Sequence, residues 1–217
     1  MSTDIVYADV AKEVLDVGVS KQKVAQNRQA IIEAAERLFR ERGVEAVGLV
    51  ELMAAAGLTR GGFYNHFASK AALVEEVVIR AMADGGEQLA ATLDSSRQRG
   101  TDPIEDEIDW YLSARHRADI GNGCPNAGFL GDAPRLDGEA RSQYAAGLSA
   151  NLRRFSAAIQ QETGLDEEEA WAHALAWFGQ MAGALLLSRA VSAEDPDLSD
   201  QLLAAARQDL LARTRKV

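Results

Sequence analysis

The sequence has one cysteine, four prolines and no long uninterrupted hydrophobic run, and each shortage excludes a class of protein. A single thiol, Cys124, forms no internal disulfide and favours a reducing compartment. Few prolines combined with 47% hydrophobic residues argue against a disordered or collagen-like chain. The longest apolar stretch, Ala174 to Leu187, is interrupted by Gln180 and is shorter than the ~20 residues that a membrane helix requires. Because Met1 to Val19 also lack the order of a secretory signal, we expect a folded, cytoplasmic protein.

Acidic side chains outnumber basic ones in the whole chain but not in its N-terminal third. The formal net charge is −10, which argues against a nucleic-acid partner because phosphate contacts need Lys and Arg. Residues 20–74, however, carry eight basic and five acidic side chains, a local charge of +3, whereas the remaining residues carry −13. This asymmetry indicates a head that faces a polyanion, attached to an acidic body.

Apolar residues recur at spacings of three and four, and strand-like alternation is nearly absent, which predicts an all-α fold. The stripes predict helices over about 24–42, 49–56, 59–66, 69–93, 103–116, 139–163, 166–191 and 198–213. Between them, 97–102 is predicted to be a loop. The segment 121–138, rich in Gly, Pro, Asn and Asp, is predicted to be a turn-dominated connection with one short helix starting at Pro125.

Several helix boundaries have their own sequence signals. Gly43 and Gly57 follow the first two stripes and are expected to end those helices. The hydroxyls of Thr59 and Ser69 are expected to cap the next two helices by accepting a hydrogen bond from an unpaired backbone N–H. Pro103 suits the first turn of a helix.

The most informative local pattern lies between Val50 and Phe67, where two short helices flank the turn 56–59. Helix, turn and helix is a motif of DNA-binding proteins. Gly61 and Gly62 occupy the first turn of the second helix, where each costs roughly 1 kcal/mol relative to alanine. Such a breach of local propensity marks functional sites, and a glycine surface lets a base edge approach closely. The surrounding donors suit phosphates or base edges: Thr59, Arg60, Tyr64, Asn65, His66 and Lys70.

Three segments carry a resemblance to a known family: NRQAIIEAAERLFRERG (Asn27–Gly43), VELMAAAG (Val50–Gly57) and LTRGGFYNHFASK (Leu58–Lys70). Together they resemble the DNA-binding domain of the TetR family of bacterial transcriptional regulators. The FYxHFxxK core, at its distance from LFxxRG, makes the match specific. The resemblance implies an all-helical homodimer, usually a repressor, whose C-terminal domain binds a small molecule that spreads the two heads and releases a palindromic operator.

The resemblance also implies a division into parts and a set of DNA contacts. The parts are an N-terminal extension (1–20), a helix-turn-helix DNA-binding domain (21–69) and an effector-binding and dimerisation domain (70–217). Arg60, Gly61 and Asn65 would face bases in the major groove, with Gly62 beside them. Phosphates would be held by Thr59, Tyr64, His66 and Lys70. Lys21 and Lys23 would form an arm along the DNA backbone or the minor groove. Many relatives place a hydroxyl residue at the start of the second helix, where this chain has Gly48 nearby, so that contact is not carried over.

The helix predicted over 166–191 is apolar almost all round, which requires burial on most of its faces. One of its stripes comprises Trp171, Leu175, Phe178, Ala182 and Leu185. Its second face, small enough for another helix to lie closely, comprises Ala172, Ala176, Gly179 and Gly183. The last helix offers a stripe of Leu198, Leu202, Ala206 and Leu210. We predict a two-fold, four-helix interface between two copies, with an ordinary monomer core as the alternative.

Effector-binding candidates are aromatic residues and their polar neighbours in the C-terminal part, because such walls suit small organic molecules. They are Trp110, Tyr111, His116, Phe129, Phe155, His173, Trp177 and Met181. An aromatic residue at helical spacing is more often part of a core, and that alternative stays open for each. Cys124 precedes Pro125 at a helix start, where a thiolate is stabilised. This predicts a redox or electrophile switch, the alternative being an inert cysteine.

An enzyme is not expected from this sequence. The three histidines are isolated without metal-ligand spacing, and neither a G-x-S-x-G motif nor a phosphate-cradling glycine loop occurs. We therefore expect no cofactor, no metal and no catalytic residue. A helical protein-interaction module that never contacts DNA is the alternative function. If the affinity for the partner falls steeply as the salt concentration rises, DNA binding is favoured over such an apolar contact with another protein.

Overall fold

The all-α prediction is confirmed by the structure. This computed structural model describes the backbone of residues 3–214 and the side chains of residues 21–214. The α-helices of that range are α1 (Thr3–Arg42), α2 (Leu49–Ala55), α3 (Lys70–Arg99), α4 (Pro103–Tyr111), α5 (Ala114–Ala118), α6 (Pro125–Gly128), α7 (Gly138–Thr163), α8 (Glu167–Val191) and α9 (Pro196–Thr214). Two 3₁₀ helices cover Arg60–Asn65 and Ala133–Arg135. The backbone of α1 includes most of the predicted N-terminal extension.

The N-terminal head is built from α1, α2 and the 3₁₀ helix around a shared core. Phe39, Met53 and Phe63, one from each segment, are fully buried there. The chain turns after α1 and after α2 at the two glycines that the sequence predicts. Gly43 (φ 85°) and Gly57 (φ 71°) adopt the left-handed backbone conformation that L-residues rarely adopt. These turns place the 3₁₀ helix at the outer surface of the head.

The third helical segment differs from the prediction in two ways. It is a 3₁₀ helix rather than an α-helix, and the Thr59 hydroxyl makes no capping hydrogen bond among the described residues. The backbone alone closes the first turn, because the Thr59 carbonyl accepts from the Gly62 N–H at 3.0 Å. Two adjacent glycines with low helix propensity suit such a short segment better than a longer α-helix.

Helix α3 is longer than the sequence predicts. It starts after Ser69, whose hydroxyl caps it as predicted by accepting from the Ala72 N–H at 3.1 Å. It then runs through both glycines of its middle to Arg99 and ends at Gly100. The predicted loop 97–102 is therefore wrong for its first three residues. The caps at Ser69 and Gly100 delimit a helix of 30 residues, about 45 Å long.

The helix predicted over 103–116 is in fact two helices. Helix α4 begins at Pro103 as expected but stops at Tyr111, and α5 begins at Ala114. Ser113 makes the break, because its Oγ donates to the Trp110 carbonyl at 2.8 Å and accepts from the His116 N–H at 3.1 Å. The prediction missed this change of direction. The predicted helix at Pro125 is confirmed as α6, and the bounds of α7, α8 and α9 lie within two residues of those predicted.

The apolar stripes of the last two helices divide between the chain's own core and its surface. On α8, Ala182 and Leu185 are buried, whereas Leu175 is 45% exposed. On α9, Ala206 and Leu210 are buried against the same chain, so these two residues are not free to pair with a second copy as predicted. The small face of α8 remains outside: Ala172, Ala176 and Gly179 are exposed and Gly183 is half-buried. We call this surface, with Leu175 and Leu187, the α8 face.

Helix α8 is the one helix of the described range with the length and hydropathy of a membrane span. Three of its residues, Ala174, Trp177 and Leu185, are instead buried in the core of the C-terminal body. The core helix of a folded protein has the same composition, which agrees with the expectation of no membrane span.

We predict that Gly147→Ala lowers the free energy of unfolding by about 1–3 kcal/mol. A Cβ at this position of α7 would lie 2.5 Å from the Met82 Cβ of α3, an atom that moves only with its helix. Urea denaturation measures the loss. The control is Gly138→Ala in the same helix, where a Cβ meets nothing within 4 Å. Equal stability of both variants and the parent would contradict a close crossing of α3 and α7.

Candidate functional site

The outer surface of the head presents the polar side chains that the sequence singled out. Thr59, Arg60, Gly61, Tyr64 and Asn65 are all exposed, and we call them the recognition face. The inward side of the same segment is held by aromatic packing, since the rings of Phe63 and Phe67 stack at 5.7 Å. The aromatic side of the 3₁₀ helix therefore packs in the core of the head, and its polar side is exposed to solvent.

The two glycines of this segment have different surroundings. A Cβ at Gly61 would meet no atom within 4 Å, whereas a Cβ at Gly62 would lie 3.7 Å from the Met53 side chain. No packing within the described chain therefore requires a glycine at position 61. The sequence predicts that a glycine here lets another molecule approach closely. The open space around Gly61 agrees with this prediction but does not test it.

Lys70 and His66 lie at the edge of the recognition face and are half-buried. The Lys70 Nζ donates to the Val44 carbonyl at 2.6 Å and lies 5.9 Å from the centroid of the Phe39 ring. An ammonium has three N–H donors, so this bond leaves two for a phosphate. The His66 Nδ1 is buried and has no hydrogen-bond partner among the described residues. The phosphate contacts assigned to both residues stay predictions.

Lys21 and Lys23 belong to helix α1, so an arm formed by them would be helical. Both side chains are exposed, and their contacts with the DNA backbone or the minor groove stay predictions. Further along α1, Arg28 pairs with Glu76 of α3 and lies 4.7 Å from the Phe67 ring centroid. This pair fastens α1 to α3 beneath the recognition face.

A cavity lies in the C-terminal body between α3, α4, α6, α7 and α8. Four of the eight predicted effector residues line it: Trp110, Tyr111, Phe155 and Met181. Cys124 also lines it, together with Phe178 and apolar residues of α3 and α7. Its walls are mostly apolar and aromatic, as in sites for small organic molecules.

The other four candidates, His116, Phe129, His173 and Trp177, do not line this cavity. Phe129 is fully buried in the core that includes the head. Trp177 is buried in the core of the body, and the His173 ring lies 4.9 Å from it. For these residues the alternative of a packing role, left open by the sequence, fits the structure better than ligand contact.

His116 is a structural residue behind the cavity wall. Its Nε2 accepts from the Cys124 N–H at 2.9 Å, which requires the proton on Nδ1, and Nδ1 lies 2.8 Å from the Tyr111 carbonyl. The ring also stacks on Trp110 at 4.5 Å. Burial lowers the pKa of His116 to about 4, so the ring is neutral at pH 7. It ties the end of α4 to the start of α6.

The sequence reasoning missed the polar groups of the cavity other than Tyr111 and Cys124. Glu107 and Asn126 line the cavity and are each 6% exposed. Glu107 Oε2, Asn126 Oδ1 and the Tyr111 hydroxyl have no hydrogen-bond partner among the described residues. The signal for Glu107 was present, because it lies on the same helical face as Ile104, Ile108 and Tyr111. An acid inside an apolar stripe marks a buried carboxyl.

Burial raises the pKa of Glu107 to about 8, because removal from water disfavours the charged carboxylate. The same desolvation raises the pKa of Tyr111. Both groups are therefore neutral at pH 7 when the cavity is empty. A lone carboxyl in such a wall is a candidate binding group, because buried polar atoms without partners destabilise the protein.

Cys124 is the residue before α6, as the sequence predicted, and its thiol is half-buried. The Asn126 amide nitrogen lies 3.6 Å from its Sγ. The position in the cavity wall makes the thiol reachable by a molecule in the cavity. Its reactivity stays a prediction.

Comparisons with known proteins agree with this geometry. The family model described as bacterial regulatory proteins, tetR family, matches residues 31–77, from the core of α1 into α3. The transcriptional repressor BepR of Brucella suis is 42% identical over 62 residues, 29% of this chain and 30% of BepR. The transcriptional repressor DhaR of a Mycobacterium species is 27% identical over 194 residues, 88% of this chain and 95% of DhaR. The head of the chain matches the TetR family.

The similarity of this chain to BepR, and to TtgR of Pseudomonas putida, is confined to part of their length, since the alignments cover 30% and 38% of those proteins. Solved structures extend the likeness of the fold over most of the chain. The reduced form of NemR from E. coli gives a TM-score of 0.68 at 22% identity, covering 85% of this chain and 95% of NemR. A TetR regulator from Chloroflexus aurantiacus gives 0.68 at 23% identity, covering 87% and 94%.

The match to the TetR family does not favour the alternative of an interaction module without DNA binding. It also agrees with the expectation that the protein is not an enzyme, since proteins of this family are generally regulators. No group of three or more potential metal-binding side chains occurs among the residues that the structure describes.

We predict that the stability of the protein falls with rising pH through the ionisation of Glu107. Between pH 4.5 and 8 the folded protein holds a proton that the unfolded chain releases. Relative to Glu107→Gln, the parent should lose about 1.5 kcal/mol of unfolding free energy between about pH 6.5 and pH 8. Chemical denaturation at both pH values measures this difference. The control Asp109→Asn, an exposed acid of the same helix, should follow the parent, and a pH-independent difference for Glu107→Gln would contradict burial of a neutral carboxyl.

Proposed function

We propose that this protein is a cytoplasmic, ligand-responsive transcriptional regulator that represses by holding a palindromic operator and releases it when a small molecule enters the cavity. The observation that carries the proposal is that one helix serves both sites. Helix α3 begins at Lys70 beside the recognition face, and its residues Gly85 and Leu89 line the cavity. A change in the cavity therefore acts on the helix that carries the head.

The recognition face has the chemistry that DNA binding needs. The guanidinium of Arg60 suits a guanine edge, and the Asn65 amide suits an adenine edge. Thr59 and Tyr64 offer hydroxyl donors for phosphates on either side of them. The acidic remainder of the chain repels the duplex, so the electrostatic field favours approach by the head.

A second connection between cavity and head supports release by a ligand. Arg40 of α1 donates to the Gly123 carbonyl at 2.8 Å, next to Cys124 in the cavity wall. Its guanidinium also pairs with Glu36, and both side chains are mostly buried. A ligand that displaces the Cys124 segment pulls on α1 through this bond, while contacts along α3 move the rest of the head.

Dimerisation follows from the α8 face. This surface presents small and apolar side chains to solvent, with Leu187 57% exposed and Leu175 45% exposed. Apolar faces of this kind are covered by a partner in stable proteins, and a two-fold axis pairs the face with its own copy. Two heads held in this way would reach half-sites roughly 34–36 Å apart.

We predict that Gly61→Ala reduces operator affinity at least tenfold without loss of stability. The new Cβ meets no atom of the free chain, so any loss arises at the DNA. The operator is first obtained by selecting bound duplexes from a random pool with the purified protein, and affinity is then measured by fluorescence anisotropy. Gly131→Ala, another exposed glycine with free space around it, serves as the control. Unchanged affinity of Gly61→Ala would contradict close approach of DNA to this glycine.

We predict that Leu175→Glu converts the dimer to a folded monomer that binds the operator weakly. A carboxylate in the centre of the α8 face would be buried without a partner at the interface. Light scattering measures the mass, and circular dichroism checks the helix content. Leu130→Glu is the matched control, because Leu130 is 39% exposed but lies outside the α8 face. A dimer that persists in Leu175→Glu would exclude this surface as the interface.

A further inference from the structure

The cavity wall combines an apolar lining with three polar atoms that lack partners. Glu107 Oε2, the Tyr111 hydroxyl and Asn126 Oδ1 are unpartnered within the described part of the chain, and their side chains are at least nine-tenths buried. Buried polar groups in folded proteins almost always have hydrogen-bond partners. Three exceptions on the wall of one cavity indicate that a ligand supplies the missing partners.

We propose that the effector of this cavity is a hydrophobic organic amine, bound as its ammonium ion to the Glu107 carboxylate. This inference rests on the proposed function, since it names the class of molecule that the cavity receives. The N–H groups of the ammonium donate to Glu107, to the Tyr111 oxygen and to Asn126 Oδ1. The apolar part of the amine lies against Phe155 and the other hydrophobic residues of the wall.

The unpartnered atoms favour a ligand rich in donors. All three are oxygens that accept hydrogen bonds, and Asn126 Oδ1 accepts only. The Asn126 nitrogen is already directed to the Cys124 sulfur at 3.6 Å, which fixes its oxygen as the free end. A primary ammonium carries three N–H donors, which matches the number of acceptors.

The charge of the wall favours a cation over an anion. Among the residues whose side chains the structure describes, neither Lys nor Arg lines the cavity, and Glu107 is the one acid that does. Aromatic rings of Trp110, Tyr111, Phe155 and Phe178 add faces that attract a cation. A carboxylate effector could accept from the O–H groups of Tyr111 and neutral Glu107, but it would find no basic side chain there to compensate its charge.

The charged groups around α4 are engaged elsewhere and do not neutralise Glu107. Asp106 pairs with Arg99 of α3, and Asp109 pairs with Arg207 of α9. From α8, Arg189 donates to the main-chain carbonyls of His116 and Arg117. The titratable groups nearest the cavity are Tyr111, Cys124 and the neutral His116 behind Trp110.

Binding of the ammonium moves one proton. The neutral Glu107 carboxyl loses its O–H proton to solvent and becomes the carboxylate that pairs with the cation, so one proton is released per amine bound. Because burial raises the pKa of Glu107 to about 8, this release is favoured as pH rises toward 8. Affinity for an amine that stays charged therefore increases up to about tenfold per pH unit below pH 8.

The test compares matched probes that differ only in the polar group. Arylalkyl chains from benzyl to 4-phenylbutyl are used as amine, alcohol and carboxylate, and calorimetry measures their binding to the full-length protein at about pH 6.5 and pH 7.5. We expect at least one amine to bind ten or more times tighter than its alcohol, its affinity to rise five- to tenfold with the pH change, and its binding to release one proton. Carboxylates should bind weakest.

Variants separate the role of Glu107 from general packing. Glu107→Gln should remove the preference for amine over alcohol and the pH dependence while alcohol binding persists, and Asp109→Asn should behave as the parent. The proposal is overturned if alcohols or carboxylates bind as tightly as the amines at every chain length. It is also overturned if no amine of the series binds. Operator binding is measured separately: its absence refutes the proposed function, whereas amine selectivity without it leaves the ligand class standing.

Discussion

The structure depends on the continuity of α3 across two hydrophobic cores. Leu73 and Val77, near its start, are fully buried with the head, and Leu93, near its end, is buried with the body. One continuous helix therefore connects the core of the head with the core of the body.

The middle of α3 is packed closely against its neighbours. A Cβ on Gly85 would lie 2.5 Å from the Pro125 ring, and one on Gly86 would overlap Arg154. Glycine here brings α6 against α3 beside the cavity, so that Cys124 and Asn126 reach its wall. The two residues that weaken the helix locally are the ones that allow the cavity to form between it and its neighbours.

The polar groups of the two candidate sites differ in their contact with water. The recognition face keeps its donors in water, where they are solvated until a polyanion replaces the solvent. The cavity instead removes a carboxyl, a phenol and an amide from water, which makes each of them dependent on a partner. The second arrangement suits a compact ligand that supplies the missing partners, and the first suits salt-dependent, reversible binding of a long polymer.

Local signals in the sequence determined the helices, the turns at Gly43 and Gly57, the cap at Ser69 and the polar residues of the recognition face, because each depends on neighbours within a few positions. The residues of the cavity were predicted only in part. Tyr111 and His116 are equally good candidates in the sequence. In the structure Tyr111 lines the cavity, whereas His116 lies behind the cavity wall because the helix breaks at Ser113. Five helices converge on the cavity, and only their tertiary packing decides that Glu107 faces it while Trp177 fills the core. Helical periodicity defines which face of a helix is buried, but it contains no information about which other helix lies against that face.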